Sequence, residues 1–415
     1  MSSVVLTTRV ATNGPVADAS VSSTTGLARP ASRLSVWCDR LIEAGWLAAV
    51  LVIPLFFNIY SSRVFEPDKL TTLRSIALVM AMAWLVKWFE ERRNPARDRH
   101  INWRTPLVLP TLITVVVYMI STAVSVAPRT SLLGSYQRLQ GTYTTLAYIV
   151  VFLMILQGMR QRAQVERLLT VMILNSLPIS IYGILQRLQL DPLPWGGDTV
   201  ERVAGNMGNS IFIAAYLVMT FFVTLYRIAD SFVAVFRSSQ PRWADVVRAA
   251  GYILIAIANA IVVLILAGSR GPQLGWLGGL MFFALLMVQL IRQRKLRFGL
   301  TLAMIAAGIA GLGFLYLINV TRNDQSFDWL RQFPLFRRLS TVLTTEEGTN
   351  AVRVLIWEGA AKLVLPHDPI EQPDGTPDPF NAIRPLVGYG PESMYVAYNR
   401  FYPPRLANFE ARNAS

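Results

Sequence analysis

Residues 249–291 read AAGYILIAIANAIVVLILAGSRGPQLGWLGGLMFFALLMVQLI. Two apolar runs, 249–267 and 273–291, are parted by five residues that hold one charge, Arg270. A helix rising 1.5 Å per residue needs about 20 apolar residues to cross a hydrocarbon core of about 30 Å. Each run is close to that length. A soluble amphipathic helix keeps a polar face, and these two have none. The stretch therefore reads as two membrane-crossing helices joined by a tight turn.

Outward from this pair the pattern repeats. Further apolar runs lie at roughly 41–60, 71–89, 106–126, 142–159, 168–186, 210–229 and 299–320. The expected fold is all-α, a polytopic transmembrane helix bundle of about nine spans. Composition agrees: 53% of the 415 residues are hydrophobic and 15% are charged, against roughly 25% charged in soluble domains. A single cysteine, Cys38, excludes a disulfide scaffold. The aliphatic and aromatic content excludes a disordered chain. The fifth run carries Asn175, Pro178 and Ser180, which predicts a helix inside the bundle. Gly275, Gly278 and Gly279 in the eighth predict close approach of a neighbour.

The net charge is +14, and its distribution sets orientation. The loops after the second, fourth, sixth and eighth runs hold 16 Lys and Arg; the odd loops hold 7. Basic loops stay on the cytoplasmic side, so the N-terminus is expected in the cytoplasm and the odd loops outside. The excess is a topology signal, and no nucleic-acid partner is expected. Residues 1–35, rich in Ser, Thr, Ala and Gly, read as a disordered cytoplasmic tail. Residues 36–320 form the bundle, and residues 321–415 an external, mainly helical loop region.

The arginines left on the outer side carry the chemistry. Arg270 sits close to the bilayer core, where a charge is costly unless paired or hydrated; the bland alternative is snorkelling to headgroups. Arg202 opens RVAGNMGNS, in which Gly205 and Gly208 allow a tight turn and Asn206 and Asn209 offer amides. A helix beginning there would present N–H groups to an anion, or the segment is a capped polar loop. Arg138 in GSYQRLQGTY suits a sugar or a headgroup. Arg353 precedes Trp357 by one helical turn, and either reaches a ligand or stacks on the indole. Arg binds phosphate groups through several planar hydrogen bonds and keeps its charge in a low-dielectric site. Glu66 and Asp68 in FEPDK are a weak acidic pair. His100 and His367 are the two histidines, and neither completes a triad or a zinc spacing.

The ordered motifs GSYQRLQG (134–141), RVAGNMGN (202–209), GSRGPQLG (268–275), RVLIW (353–357) and GYGPESM (388–394) resemble the bacterial O-antigen ligase / O-antigen polymerase superfamily. The resemblance implies a multi-pass glycosyltransferase of the bacterial cytoplasmic (inner) membrane. Its donor would be an undecaprenyl-pyrophosphate-linked oligosaccharide and its acceptor a lipid or glycan. It would use no cofactor and no metal. By motif, the two pyrophosphate-binding arginines fall on Arg202 and Arg270, with Arg138, Asn206, Asn209 and Arg353 as further substrate-binding candidates. The family's histidine, downstream of the Gly-x-Gly stretch, has no counterpart before the terminal RNAS. The chain is accordingly expected to be C-terminally truncated, stopping short of its full site, with its catalytic base unassigned. Two rival readings remain: a transporter or flippase of lipid-linked sugars, and a membrane scaffold with an external binding loop. The first calls for ionisable residues in mid-span, which are scarce here.

Overall fold

The computed structural model describes residues 32–61, 63–91, 105–193, 202–237, 242–321, 327–343, 348–371 and 375–409. The tail expected over 1–35 and the basic loop 92–104 lie almost wholly outside these. The regular structure of the described residues is all helical, joined by turns and loops, with one isolated bridge between Glu371 and Pro377 and no strand.

The bundle comprises α1 (Arg33–Leu55), α2 (Pro67–Glu91), α3 (Val108–Ala123), the short α4 (Pro128–Leu133), α5 (Thr142–Gly158), α6 (Arg162–Arg187), α7 (Ser210–Arg237), α8 (Trp243–Ile261), α9 (Arg270–Gln289) and α10 (Arg294–Val320). Each of the nine apolar runs falls on one of these helices. Six elements are long and apolar enough to cross a membrane: α2, α6, α7, α8 with its continuation to Leu266, α9 and α10. The helices α3 and α5 are apolar but have 16 and 17 residues, about 24 and 26 Å of rise. The 23-residue α1 carries Asp39, Arg40 and Glu43 in its first half.

Three buried clusters hold the bundle among the described residues, the smallest being Ala49 of α1 with Leu70 and Leu73 of α2. Cys38, Ile42 and Trp46 of α1 pack with Met80 and Ala83 of α2 and Met154 of α5. Ile179 of α6 packs with Ile213, Ala214 and Leu217 of α7 and Val262 and Val263 beyond α8. Around α6, α7, α8 and α1 buried polar groups pair with one another, with Asn175 Oδ1 left unpaired among the described residues. Ser180 Oγ donates to Asn259 Oδ1 at 2.7 Å, Asn259 Nδ2 to Ser176 Oγ at 3.1 Å, and Asn175 Nδ2 to the Val50 carbonyl at 3.0 Å. This is the interior placement expected of α6, because an unpaired amide in hydrocarbon costs several kcal/mol, of order 2–7. α9 and α10 are peripheral. A methyl on Gly279 would overlap the Phe222 ring, but Gly275 and Gly278 face open space, so one of the three glycines makes the close contact. Phe282, Ile309 and Leu312 are exposed on this pair. An apolar surface that large marks a face covered by something other than water.

The two ends differ. At one, cations meet carboxylates: Lys87 with Asp39 and Glu91, Arg167 with Glu43, Arg227 with Glu166. The other end gathers residues 56–70, 124–142, 202–210, 266–270 and the segment after α10. That segment contains α11 (Asp328–Arg331), α12 (Pro334–Leu339), α13 (Gly348–Val364), α14 (Arg384–Val387) and α15 (Met394–Tyr398).

Candidate functional site

Residues 202–209 thread between helix ends. The Val203 amide donates to the Leu266 carbonyl at 3.2 Å, reaching the single turn of π-helix, Val262–Leu266, that continues α8. Gly205, at φ 58°, donates its amide to Gln186 Oε1 at 2.7 Å. Gly208, at φ 71°, lies against Phe65, and a methyl there would overlap that ring. Only glycine takes both the left-handed backbone and the close approach. Asn206 is buried, with its Nδ2 on the Pro54 and Leu55 carbonyls at 2.6 and 3.1 Å, while Lys69 Nζ donates to the Asn206 carbonyl at 2.9 Å. Its amide therefore ties α1 to this segment and faces no open surface. Asn209 is exposed and accepts the Ile211 amide at 2.9 Å, capping α7.

Arg202 and Arg338 flank the turn before α9, and Arg270 opens that helix. Arg202 Nη2 donates to Ser210 Oγ at 2.7 Å and lies 3.4 Å from Ser269 Oγ. Gly268 stands at φ 57°, and a Cβ built on it would lie 3.6 Å from Arg202 Cγ and 3.4 Å from Arg338 Nε. Arg270 Nη1 donates to the Thr341 carbonyl at 2.7 Å, just past α12. All three side chains are half-buried. Arg202 and Arg270, the two arginines of the motif expectation, stand on either side of Ser269, which Arg202 reaches at 3.4 Å. Arg338 was not singled out: it sits in an ordinary helical pattern, and no local signal shows that α12 folds back over Gly268.

A second feature adjoins the first through neighbouring residues Asn209 and Ser210. Arg63, Val64, Phe65, Glu66, Gln137, Arg138, Met207, Gly208, Asn209 and Phe212 line a cavity of about 210 Å³. Arg138 and Asn209 thus line the same cavity, together with Arg63 and Glu66. Loop 134–141 presents Gln137 and Arg138 because it is held from two sides. Arg74 Nη2 donates to the Leu133 and Leu139 carbonyls at 2.7 Å each, its Nε to Thr144 Oγ1 at 2.8 Å, and its guanidinium covers the Tyr143 ring at 4.7 Å. The Ser135 amide donates to the Glu392 carboxylate.

Glu392 belongs to the motif GYGPESM, which docks on the α3–α4 turn. The Val126 amide donates to the Tyr389 carbonyl at 3.2 Å, and Ser131 and Ser393 share a hydroxyl contact of 2.7 Å. Gly390, at φ 103°, comes so close to Ser125 and Ser131 that a methyl would overlap both hydroxyls. Arg384 braces this arrangement. It chelates the buried Asp378 through Nε and Nη2 at 2.7 and 2.8 Å, and its Nη1 donates to the Val124 carbonyl at 2.7 Å. Burial opposes ionisation of Asp378, but the Arg384 guanidinium and the Phe380 amide outweigh it and hold the carboxyl below its ordinary range.

The remaining candidates lie apart. Arg353 and Trp357 are exposed on α13. His367 Nδ1 is 2.7 Å from the Asp368 carbonyl, its Nε2 is 2.9 Å from the Tyr389 hydroxyl, and its ring packs on Phe401, a structural setting. Asp68 accepts from Asn58 Nδ2 at 2.7 Å. Among the described residues no group of three His, Cys, Asp or Glu is placed to hold a metal ion.

Compared with protein-family models, with curated proteins and with solved structures, the chain shows no match.

Proposed function

We propose that this protein transfers a glycan from a polyprenyl-pyrophosphate-linked donor to a lipid or glycan acceptor at the outer face of a bacterial cytoplasmic membrane, in the manner of the O-antigen ligases and polymerases it resembles. The observation that carries this reading is the convergence of Arg202, Arg270 and Arg338 on the Gly268 turn. It lies at the end of the bundle opposite the carboxylate-paired cations. With nine crossings and a cytoplasmic N-terminus, that end faces outward.

The acceptor hydroxyl oxygen attacks the anomeric carbon. The bond from that carbon to the pyrophosphate oxygen breaks, and the pyrophosphate departs with the electron pair. Guanidiniums already in place stabilise the charge that develops on it. Ser210 and Ser269 orient Arg202, and the Thr341 carbonyl orients Arg270, so little reorganisation accompanies the reaction. These contacts need neither a metal nor a nucleotide sugar.

The test is glycan transfer in proteoliposomes holding the full chain and lipid-linked oligosaccharide extracted from the membranes that carry it. Arg202→Ala and Arg270→Ala should each lower transfer by 10²-fold or more (roughly 3 kcal/mol) while membrane insertion is unchanged. Undiminished transfer by both variants removes the reading.

A further inference from the structure

The far end of α9 carries a charge pattern that its surroundings do not share. After Gln289 the chain reads LIRQRKLR, residues 290–297, with four cations in the last six positions. Arg292, Arg294 and Lys295 are exposed and Arg297 is half-buried. Elsewhere at this end of the bundle cations are matched: Lys87 with Asp39 and Glu91, Arg167 with Glu43, Arg162 and Arg227 with Glu166, Arg248 with Asp245. Around the α9–α10 turn no Asp or Glu stands in the chain from 246 to 323. Among the described residues none of the four cations meets a carboxylate. Their placement also works against the helix. Arg294, Lys295 and Arg297 occupy the first turn of α10, the positive end of its dipole, where acidic residues are favoured and cations are not. That turn holds no acidic residue, and Gln293 gives it no side-chain cap. The orientation rule accounts for the side of the membrane on which basic residues lie. It does not account for a cluster left unmatched at a helix end that disfavours it. An external anion would offset both the mutual repulsion and the dipole.

Next to these cations lies the least covered part of the bundle. The crossing windows of α9 and α10 are 6% buried each. Leu286, Leu290, Phe298 and Leu302 are exposed on either side of the charged turn, and a methyl on Gly299 would meet nothing. The two helices still form a defined hairpin. Gln289 Nε2 donates to Thr301 Oγ1 at 3.1 Å, and Gly308 lies so close to Met281 that a methyl would overlap its thioether. Apolar surface at acyl-chain depth, ending in unmatched cations at headgroup depth, complements a molecule that is apolar along its length and anionic at its head. We infer that this hairpin end is a docking surface for an anionic phospholipid. Arg292, Arg294, Lys295 and Arg297 hold its phosphate, and its acyl chains lie along α9 and α10. Guanidiniums bind phosphate through paired hydrogen bonds, and basic clusters beside a membrane helix recruit anionic lipid. A zwitterionic lipid gains less, because its own ammonium meets the same cluster. The surface lies about 30 Å from the arginine turn along the 20 residues of α9, and it does not depend on glycan transfer.

The experiment titrates the full chain in detergent with phosphatidylglycerol or with phosphatidylcholine of the same acyl chains, and reads retained lipid by native mass spectrometry. The wild type should hold phosphatidylglycerol about tenfold more tightly, and the preference should shrink as salt is added. Arg294→Gln and Lys295→Gln should each weaken retention of the anionic lipid about fivefold, the size expected of one cation at an anionic surface. Each leaves three of the four charges in place, so the orienting signal survives. Arg294→Lys should keep most of the preference. Arg162→Gln, at the same end but matched to Glu166, should leave retention unchanged. Equal retention of the two lipids by the wild type overturns the docking surface. Wild-type retention in both Gln variants, or an equal loss in Arg162→Gln, overturns it as well. Thermal stabilisation by inorganic phosphate that equals the stabilisation by phosphatidylglycerol would assign the cluster to a free anion. A dimer that the Gln variants dissociate, with lipid retention unchanged, would assign the face to a second copy. Either result removes the lipid.

Discussion

Arg338 shows what a single residue contributes that its neighbours in the chain do not announce. It lies against Gly268, facing Arg202, although 136 positions separate the two arginines. If three guanidiniums share the leaving group's charge, Arg338→Ala should reduce transfer roughly 10–100-fold, the loss expected for one charge-assisted contact of about 1.5–3 kcal/mol. Initial rates against donor concentration check this. Arg338→Lys should rescue only partly, because an ammonium lacks the planar fork. Gly208→Ala should also be costly, since the left-handed backbone and the Phe65 ring both exclude a methyl; an outcome within twofold of wild type would contradict that geometry. At this scale the candidate site was half legible. Arg202 and Arg270 stand out because a charge set directly beside a long apolar run is rare. Asn206 carries the same motif signature and yet serves packing; Glu66 reads in sequence only as half of a weak acidic pair, and Arg63 and Arg338 become visible only once distant loops are brought together.

The segment from α13 to α15 is an element whose stability hangs on one buried ion pair. Arg384 and Asp378 are both nearly inaccessible. Removing one partner of such a pair costs about 3–5 kcal/mol, because the other is left charged and alone. Asp378→Asn should therefore raise hydrogen exchange and protease cleavage over 384–398 while leaving α6–α8 protected. The pH dependence has a definite sign. The Asp378 carboxyl titrates below its ordinary value of 3.8 in the folded protein, so its contribution is complete above that value and is lost as the pH falls through the lower, folded one. Exchange protection of this segment should hold steady from pH 8 to 5 and fall only in strong acid. Helix existence was legible in the apolar runs, because hydropathy needs no partner. The docking of GYGPESM on the α3–α4 turn was not, since a hydroxyl cluster built from Ser125, Ser131 and Ser393 has no periodicity to read.

For the molecule as a whole, burial is graded. The α1–α2–α5 and α6–α7–α8 cores are tight, whereas the crossing windows of α9 and α10 are only 6% buried each. With a membrane around it this exposure is lipid-facing, and extraction should require detergent. The proposed orientation is tested by reporter fusions. An alkaline phosphatase fused after residue 390 should be active and one fused after residue 160 inactive; the reverse pattern would invert the topology. The single bond from the Ser135 amide to the Glu392 carboxylate joins positions 257 apart in the chain, and this has a consequence for biosynthesis. Ribosomes add about 5–20 residues per second, so loop 134–141 waits roughly 13–50 seconds for its second support. Until then Arg74, Thr144 and the loop's own backbone bonds shape it. The membrane helices can insert and pack early, but the cavity they frame matures last, when the GYGPESM segment has been translated and has found its seat.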